Sequence, residues 1–207
     1  MLNKLLARNL RQPSGFFGRL VGREMNRANR AMNRAAVHHL APGADEQILE
    51  IGFGGGASLI PIAEHLGKGR IVGVDLSDEM IALASRKHPG LIESGRLELR
   101  KGGAEDLPCE DASFDRALTV NTLYFWSDPP RVASEILRVL RPGGTFVLAF
   151  RPKCAMERFA FTKHGFSIYA DEEVYSLLQS AGFDSIRFER GDDDRMGYVC
   201  AIARKPA

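Results

Sequence analysis

Short apolar runs of strand length recur at 48–51, 70–75, 114–120 and 145–150, too continuous for strands with one wet face and so expected inside a parallel sheet. A run at 96–100 alternates polar and apolar residues, and two more strands, 183–189 and 198–204, lie close together near the end. Between the runs, apolar residues fall at three- and four-residue spacing, which predicts helices over 59–66, 78–87, 129–140 and 171–181. Ser77 suits an N-cap, Pro61 is tolerated in a first turn, and Gly182 closes the last helix. A longer helix is predicted over 16–40. Phe17, Val21, Met25, Ala28, Met32 and Ala36 form an apolar stripe, and Arg19, Arg23, Arg27, Arg30 and Arg34 repeat two positions away, about 200° around the helix. Pro42 and Gly43 end it. Strands alternating with helices from 47 to 150, then a helix and two neighbouring strands, predict an α/β fold whose sheet is mostly parallel with one antiparallel edge. The expected division is an N-terminal helical extension over 1–45 and one α/β domain over 46–207.

Charged residues make up 26% of the 207 and hydrophobic ones 44%, the balance of an ordinary soluble globular protein, and no apolar run is long enough to span a membrane. With no signal-peptide pattern at the start, the expected location is the cytoplasm. Cys109, Cys154 and Cys200 match neither a disulfide framework nor a zinc spacing, so reduced thiols and no metal site are expected. The net charge of +2 conceals an asymmetry: residues 1–40 carry eight basic residues against Glu24 alone, +7, which leaves −5 for the remainder. Nucleic acid is not the expected partner of a domain at −5. The basic helix has two readings, a helix packed on the domain with a solvated face, or a lid over the substrate cleft whose arginines also meet an anionic surface such as a membrane.

Chemistry concentrates after the first strand, where Gly52, Gly54, Gly55 and Gly56 crowd into five positions between a strand and a helix. Such a turn exposes backbone N–H groups to a ligand, and the spacing Gly52-x-Gly54-x-x-Ala57 is open to NAD as well as to other adenosine cofactors. Glu50 shifts the balance. A carboxylate two residues before the first glycine opposes a pyrophosphate and suits a cationic ligand such as S-adenosylmethionine, with its ammonium and sulfonium; the plainer reading is an acid satisfied by local backbone or an arginine. Asp75 ends the second strand about 20 residues beyond the glycines, where a carboxylate can accept both hydroxyls of a ribose. Asn121 and Thr122, at the carboxyl end of the fourth strand, are expected to face the cleft and orient an acceptor, with Tyr124 and Trp126 behind them. Arg151 and His164 are expected near the same cleft. His38 and His39 are further histidines that can border it, more in keeping with packing or surface roles.

The order acid, x, Gly, x, Gly, x, Gly at 50–56 resembles the first motif of the class I S-adenosylmethionine-dependent methyltransferases. Gly102-Gly103-Ala104-Glu105-Asp106-Leu107-Pro108 is similar to that family's adenine-binding loop, and Leu140-Arg141-Pro142-Gly143-Gly144 to its turn into the fifth strand. The resemblance covers about 46–204 and is nearest to the type 11 branch, which includes the quinone-biosynthesis methyltransferases. It implies a Rossmann-like seven-stranded sheet of order 3-2-1-4-5-7-6 with helices on both faces, and S-adenosylmethionine as cofactor with S-adenosylhomocysteine as product. It also implies cofactor contacts from Glu50, Gly52, Gly54, Gly56, Asp75, Leu76, Ala104, Glu105 and Asn121, and a substrate pocket built on Thr122, Tyr124, Trp126, Arg151 and His164. One departure stands out. The family pattern puts an acid before the alanine of the adenine loop, and this chain has Gly103, so Glu105 or a backbone carbonyl is left to receive the adenine amino group.

The implied reaction is transfer of a methyl group to a small apolar or amphipathic molecule by proximity and exclusion of water, with no dedicated base assigned. A non-catalytic S-adenosylmethionine-binding protein and an NAD-dependent oxidoreductase are the alternatives. A monomer and a homodimer are both open.

Overall fold

The run around Ile48 to Ile51 takes the centre of the sheet because both of its faces are covered. In the computed structural model, which describes residues 29–193 and 196–207, it is β1 (Gln47–Ile51). Beside it lie β2 (Arg70–Asp75) and β4 (Phe114–Val120), then β3 (Leu97–Lys101) outside β2 and β5 (Leu140–Phe150) outside β4, all parallel. The edge is a hairpin of β6 (Asp184–Gly191) and β7 (Tyr198–Arg204), with β7 antiparallel to both β5 and β6. The seven-stranded order is β3-β2-β1-β4-β5-β7-β6, as expected. Strand order reverses between β1 and β4, which opens a crevice beyond their carboxyl ends.

Two apolar cores flank the sheet. On one face, α1 (Arg30–Leu40), α2 (Leu59–Ala63) and α3 (Asp78–Lys87) cover Ile48, Ile71, Leu118 and Val147. On the other, α5 (Pro129–Val139) and α7 (Asp171–Ala181) cover Leu49, Ile51, Ala117, Phe146 and Leu148. The short α4 (Pro89–Glu93) leads into β3, and α6 (Lys153–Met156) follows β5. Side chains alternate along a strand, so Glu50 shares the face of Ile48 and points towards α1 and α2.

The described part of the N-terminal extension is a wall of the domain. Met32, Ala36, Val37 and Leu40 of α1 are buried against the sheet, while Arg30 and Arg34 face outward. Arg116 of β4 fixes the end of the helix, donating to Leu40 O (2.6 Å) and to both carboxylate oxygens of Glu46 (2.5 and 3.0 Å). The rest of the expected 16–40 helix, with Arg19, Arg23 and Arg27, lies outside the described residues. Among the described residues no helix is long and apolar enough to cross a membrane.

Two of the expected elements differ by more than two residues at an end, and the short α4 and α6 were not expected. The helix after the glycine turn stops at Ala63 instead of 66, because the chain tightens into three-residue bonds, His65 N to Ile62 O (3.1 Å) and Leu66 N to Ala63 O (3.2 Å). Residues 141–144 form no separate turn. They are an irregularity inside β5, where pairing with β4 jumps from Leu140 opposite Phe114 to Thr145 opposite Arg116, and Gly143 N and Gly144 O bond to Lys205.

Candidate functional site

The glycine turn makes the floor of the crevice. Gly52 has φ of 68°, and a Cβ there would run into the Thr122 methyl group, so position 52 demands glycine on both counts. Its N–H donates to Val74 O (2.7 Å), which sets the turn against β2. Above it lies a cavity of about 360 Å³ at the carboxyl ends of β1, β2 and β4. Of the residues expected to hold the cofactor, Glu50, Gly52, Gly54, Asp75, Leu76, Ala104, Glu105 and Asn121 all line this cavity, drawn from four separate stretches of chain. Gly56 lies behind it. A Cβ on Gly56 would fall 2.9 Å from His88 Nε2 and Leu59 Cδ1, so this glycine lets α2 and the start of α4 approach the turn.

Glu50 is 2% exposed, and its Oε2 has no hydrogen-bond partner among the described residues. Burial raises its pKa from 4.5 to about 8, a Ser58 hydrogen bond opposes the shift, and the nearby Asp75 charge adds to it. An orphaned, buried carboxyl oxygen in a cavity wall is costly unless a donor or cation arrives. The ammonium of S-adenosylmethionine is such a group, so the residues fit that cofactor.

Asp75 has one backbone donor on each oxygen, Ser77 N on Oδ1 (2.9 Å) and Gly54 N on Oδ2 (2.8 Å). Burial raises its pKa, and these N–H bonds, with that of Leu76, work against the rise. A carboxylate oxygen accepts more than one donor, so both can still take a hydroxyl.

At the end of β4, Asn121 takes a left-handed conformation (φ 59°), which asparagine tolerates better than most residues. Thr122 stands in a chain of bonds: Trp126 Nε1 donates to its Oγ1 (3.2 Å), the Thr122 hydroxyl donates to Thr119 Oγ1 (2.5 Å), and Thr119 donates in turn to Ile51 O (2.8 Å). Thr122 and Trp126 thus line the cavity in fixed positions, with Phe53 and Phe125 adding apolar wall.

Three expected pocket residues lie elsewhere. Tyr124 is buried beneath the wall, its hydroxyl bonded to Asn121 Oδ1 (3.3 Å) and to Arg151 N. Arg151 is 3% exposed and occupied by Asp193, by Gly197 O (2.7 Å) and by Asn29 Oδ1 (2.9 Å); a guanidinium so engaged joins three parts of the chain instead of facing a substrate. In this pairing the Asp193 carboxylate is buried with the guanidinium, although it sits in a polar loop between β6 and β7; Asp194 lies outside the described residues. His164 ends a single turn of 3-10 helix (Ala160–Lys163) away from the cavity, and His38 and His39 sit at the opposite end of α1 from its cavity-lining residues. All three cysteines are free thiols, and burial pushes the thiol of Cys200 up to about 12.

Asn29, Asn33, Phe53, Phe125 and Ser127 line the cavity without having been singled out from the sequence. The asparagines left a trace, two amides four residues apart at the cavity end of an otherwise apolar or basic helix.

A family model described as Methyltransferase domain, type 11, matches residues 49–148. The chain is similar to an O-methyltransferase, resE, of Aspergillus sclerotiorum, 30% identical with 88% of this chain and 71% of that protein covered. It is also similar to an uncharacterized methyltransferase, YdaC, of Bacillus subtilis, 28% identical over 91% of this chain and 99% of that one. Phosphoethanolamine N-methyltransferase 2 of Haemonchus contortus, solved with S-adenosyl-L-methionine, shares the fold, with a TM-score of 0.71 at 18% identity over 86% of this chain and 53% of that one. With the strand order, the glycine turn and the acid at its head in place, this chain belongs to the class I S-adenosylmethionine-dependent methyltransferases, in the type 11 group.

Proposed function

We propose that the chain transfers a methyl group from S-adenosylmethionine to a small molecule with an apolar or amphipathic body, at the crevice between β1 and β4. The observation that carries the reading is the buried Glu50 carboxyl group, whose Oε2 has no partner among the described residues and stands in the cavity wall beside the glycine turn. In this reading Glu50 receives the amino group of the cofactor, and Asp75 receives the two ribose hydroxyls on oxygens already aligned by Gly54 and Ser77. The bound cofactor supplies an electrophilic methyl carbon on a sulfonium leaving group.

The protein's part is then to present the acceptor and exclude water. Phe53, Phe125 and Trp126 offer apolar and aromatic surface that suits a molecule with a ring or hydrocarbon body. Asn121 and Thr122, the latter held by Trp126 and Thr119, offer the polar points that orient it. Among the described residues that line the cavity no acid and base are paired for proton abstraction, and in this reading orientation and desolvation carry the chemistry.

Incubation with cofactor labelled in its methyl group and a metabolite extract tests the reading. Label is expected in a small organic-extractable product, and its appearance is expected to fall at least tenfold with Glu50→Ala. A chain that binds the cofactor yet moves no label into any fraction would overturn it.

A further inference from the structure

Two side-chain amides stand in the cavity wall with their oxygens already committed. Asn29, at the start of α1, accepts at Oδ1 from the Arg151 guanidinium (2.9 Å). A guanidinium carries donors only, so this contact fixes which way the amide faces: its oxygen is turned to the buried arginine, and the group left for the cavity is its NH2. Asn121 is set in the same sense by a longer route. Arg151 N donates to the Tyr124 hydroxyl, so the proton of that hydroxyl is left for Asn121 Oδ1 (3.3 Å). Burial raises the pKa of Tyr124, which keeps that proton in place. Arg151 thus turns both amides, one through its guanidinium and one through its backbone. Neither amide nitrogen has a partner among the described residues.

Both belong to the end of the crevice that the cofactor leaves open. Arg151 directly follows β5, which flanks β4 on the side away from β2, whereas Asp75 ends β2 and Glu50 lies in β1, between β2 and β4. A cofactor held by Asp75 and Glu50 occupies the half at β2 and β1. Asn29 and Asn121 border the remainder, together with the aromatic surface of Phe125 and Trp126. An amide NH2 donates and does not accept, and a donor shut away from water without a matching oxygen loses its hydration for nothing. A positive group set against these amides would meet N–H dipoles of the wrong sign.

We propose that Asn29, oriented by Arg151 and seconded by Asn121, selects a methyl acceptor whose polar end is a carbonyl or another oxygen that accepts hydrogen bonds, and disfavours one with an ammonium there. The inference names the substrate class of the proposed transferase and rests on that reading.

Titration of the full chain, saturated with S-adenosylhomocysteine, with two probes of similar shape tests it: 4-hydroxyacetophenone, which carries a carbonyl, and 4-(1-aminoethyl)phenol, which carries an ammonium in its place. The native chain is expected to favour the carbonyl probe by about tenfold. Asn29→Asp keeps one oxygen for Arg151 and puts a second where the NH2 stood. It is expected to lose about tenfold for the carbonyl probe and to gain affinity for the ammonium probe, while affinity for S-adenosylhomocysteine stays within about twofold of native. An unchanged ratio in Asn29→Asp would overturn the inference, as would a native chain that prefers the ammonium probe, takes both alike or takes neither. Loss of S-adenosylhomocysteine by the variant would also overturn it, marking Asn29 as a brace of the fold. A native chain that does not bind S-adenosylhomocysteine would instead bring down the cofactor reading itself, and this inference with it.

Discussion

Glu50 is a carboxyl group that burial keeps mostly protonated at neutral pH. Its folded-state pKa of about 8 lies above the ordinary 4.5, so the native chain holds this proton over a range where the unfolded chain has released it. The resulting stability is present in full below about pH 4.5 and is lost as pH rises towards 8, by about 1.4 kcal/mol per unit within that window. Thermal unfolding of the cofactor-free protein should show this slope. Glu50→Gln, which cannot ionise, should flatten it while weakening cofactor binding by about 1.5–3 kcal/mol, and an equal slope in both proteins would refute the assignment. Asp75→Ala should cost at least tenfold in affinity, about 1.4 kcal/mol. A 2′-deoxyribose analogue checks the cause, since the native protein should discriminate against it and the variant should not. Both acids were legible in the sequence, one by standing in an apolar strand ahead of glycines and the other by ending the next strand. Trp126 holding Thr122, and Ser127 holding Glu105, were not, because pairings across a fold leave no periodic trace.

The described part of helix α1 follows the first of its two readings, a helix packed on the domain with a solvated basic face. Its apolar stripe was visible, and that stripe packs on β4, β5 and β7, with only Asn29 and Asn33 reaching the cavity. Met32, Val37 and Leu40 are each 0–3% exposed, and burial of such side chains contributes about 1.5–3 kcal/mol apiece. Removal of residues 1–40 should therefore unfold the domain. A cooperative melt near native in the truncated chain would contradict this packing. Elsewhere the bounds of β2, β4, β7, α3 and α7 were readable because caps, glycines and apolar runs coincide at their ends. The exceptions, the short α2 and the long β5, depend on backbone bonds to distant residues or on local tightening that side-chain pattern does not encode.

At the scale of the molecule, strand order follows from connectivity: parallel neighbours need crossover helices, and only the last two strands are close enough in sequence to pair as a hairpin. The buried Arg151–Asp193 pair is a different matter, since it joins the end of β5 to the β6–β7 loop and, through Asn29, to the start of α1. These residues are too far apart in sequence to be matched by pattern. Arg151→Ala leaves a carboxylate buried without its guanidinium and should cost about 3–5 kcal/mol, read as a fall in melting temperature, whereas a near-native melt would show the pair to be dispensable. The central claim is that this fold presents an orphaned, protonated Glu50 to a cationic cofactor. Titration of the chain at pH 7 with S-adenosylhomocysteine, in two buffers of different ionisation heat, measures this most directly. The account predicts binding with net release of a proton, and no such release in Glu50→Gln; no binding, or binding whose proton balance is the same in both proteins, would contradict it.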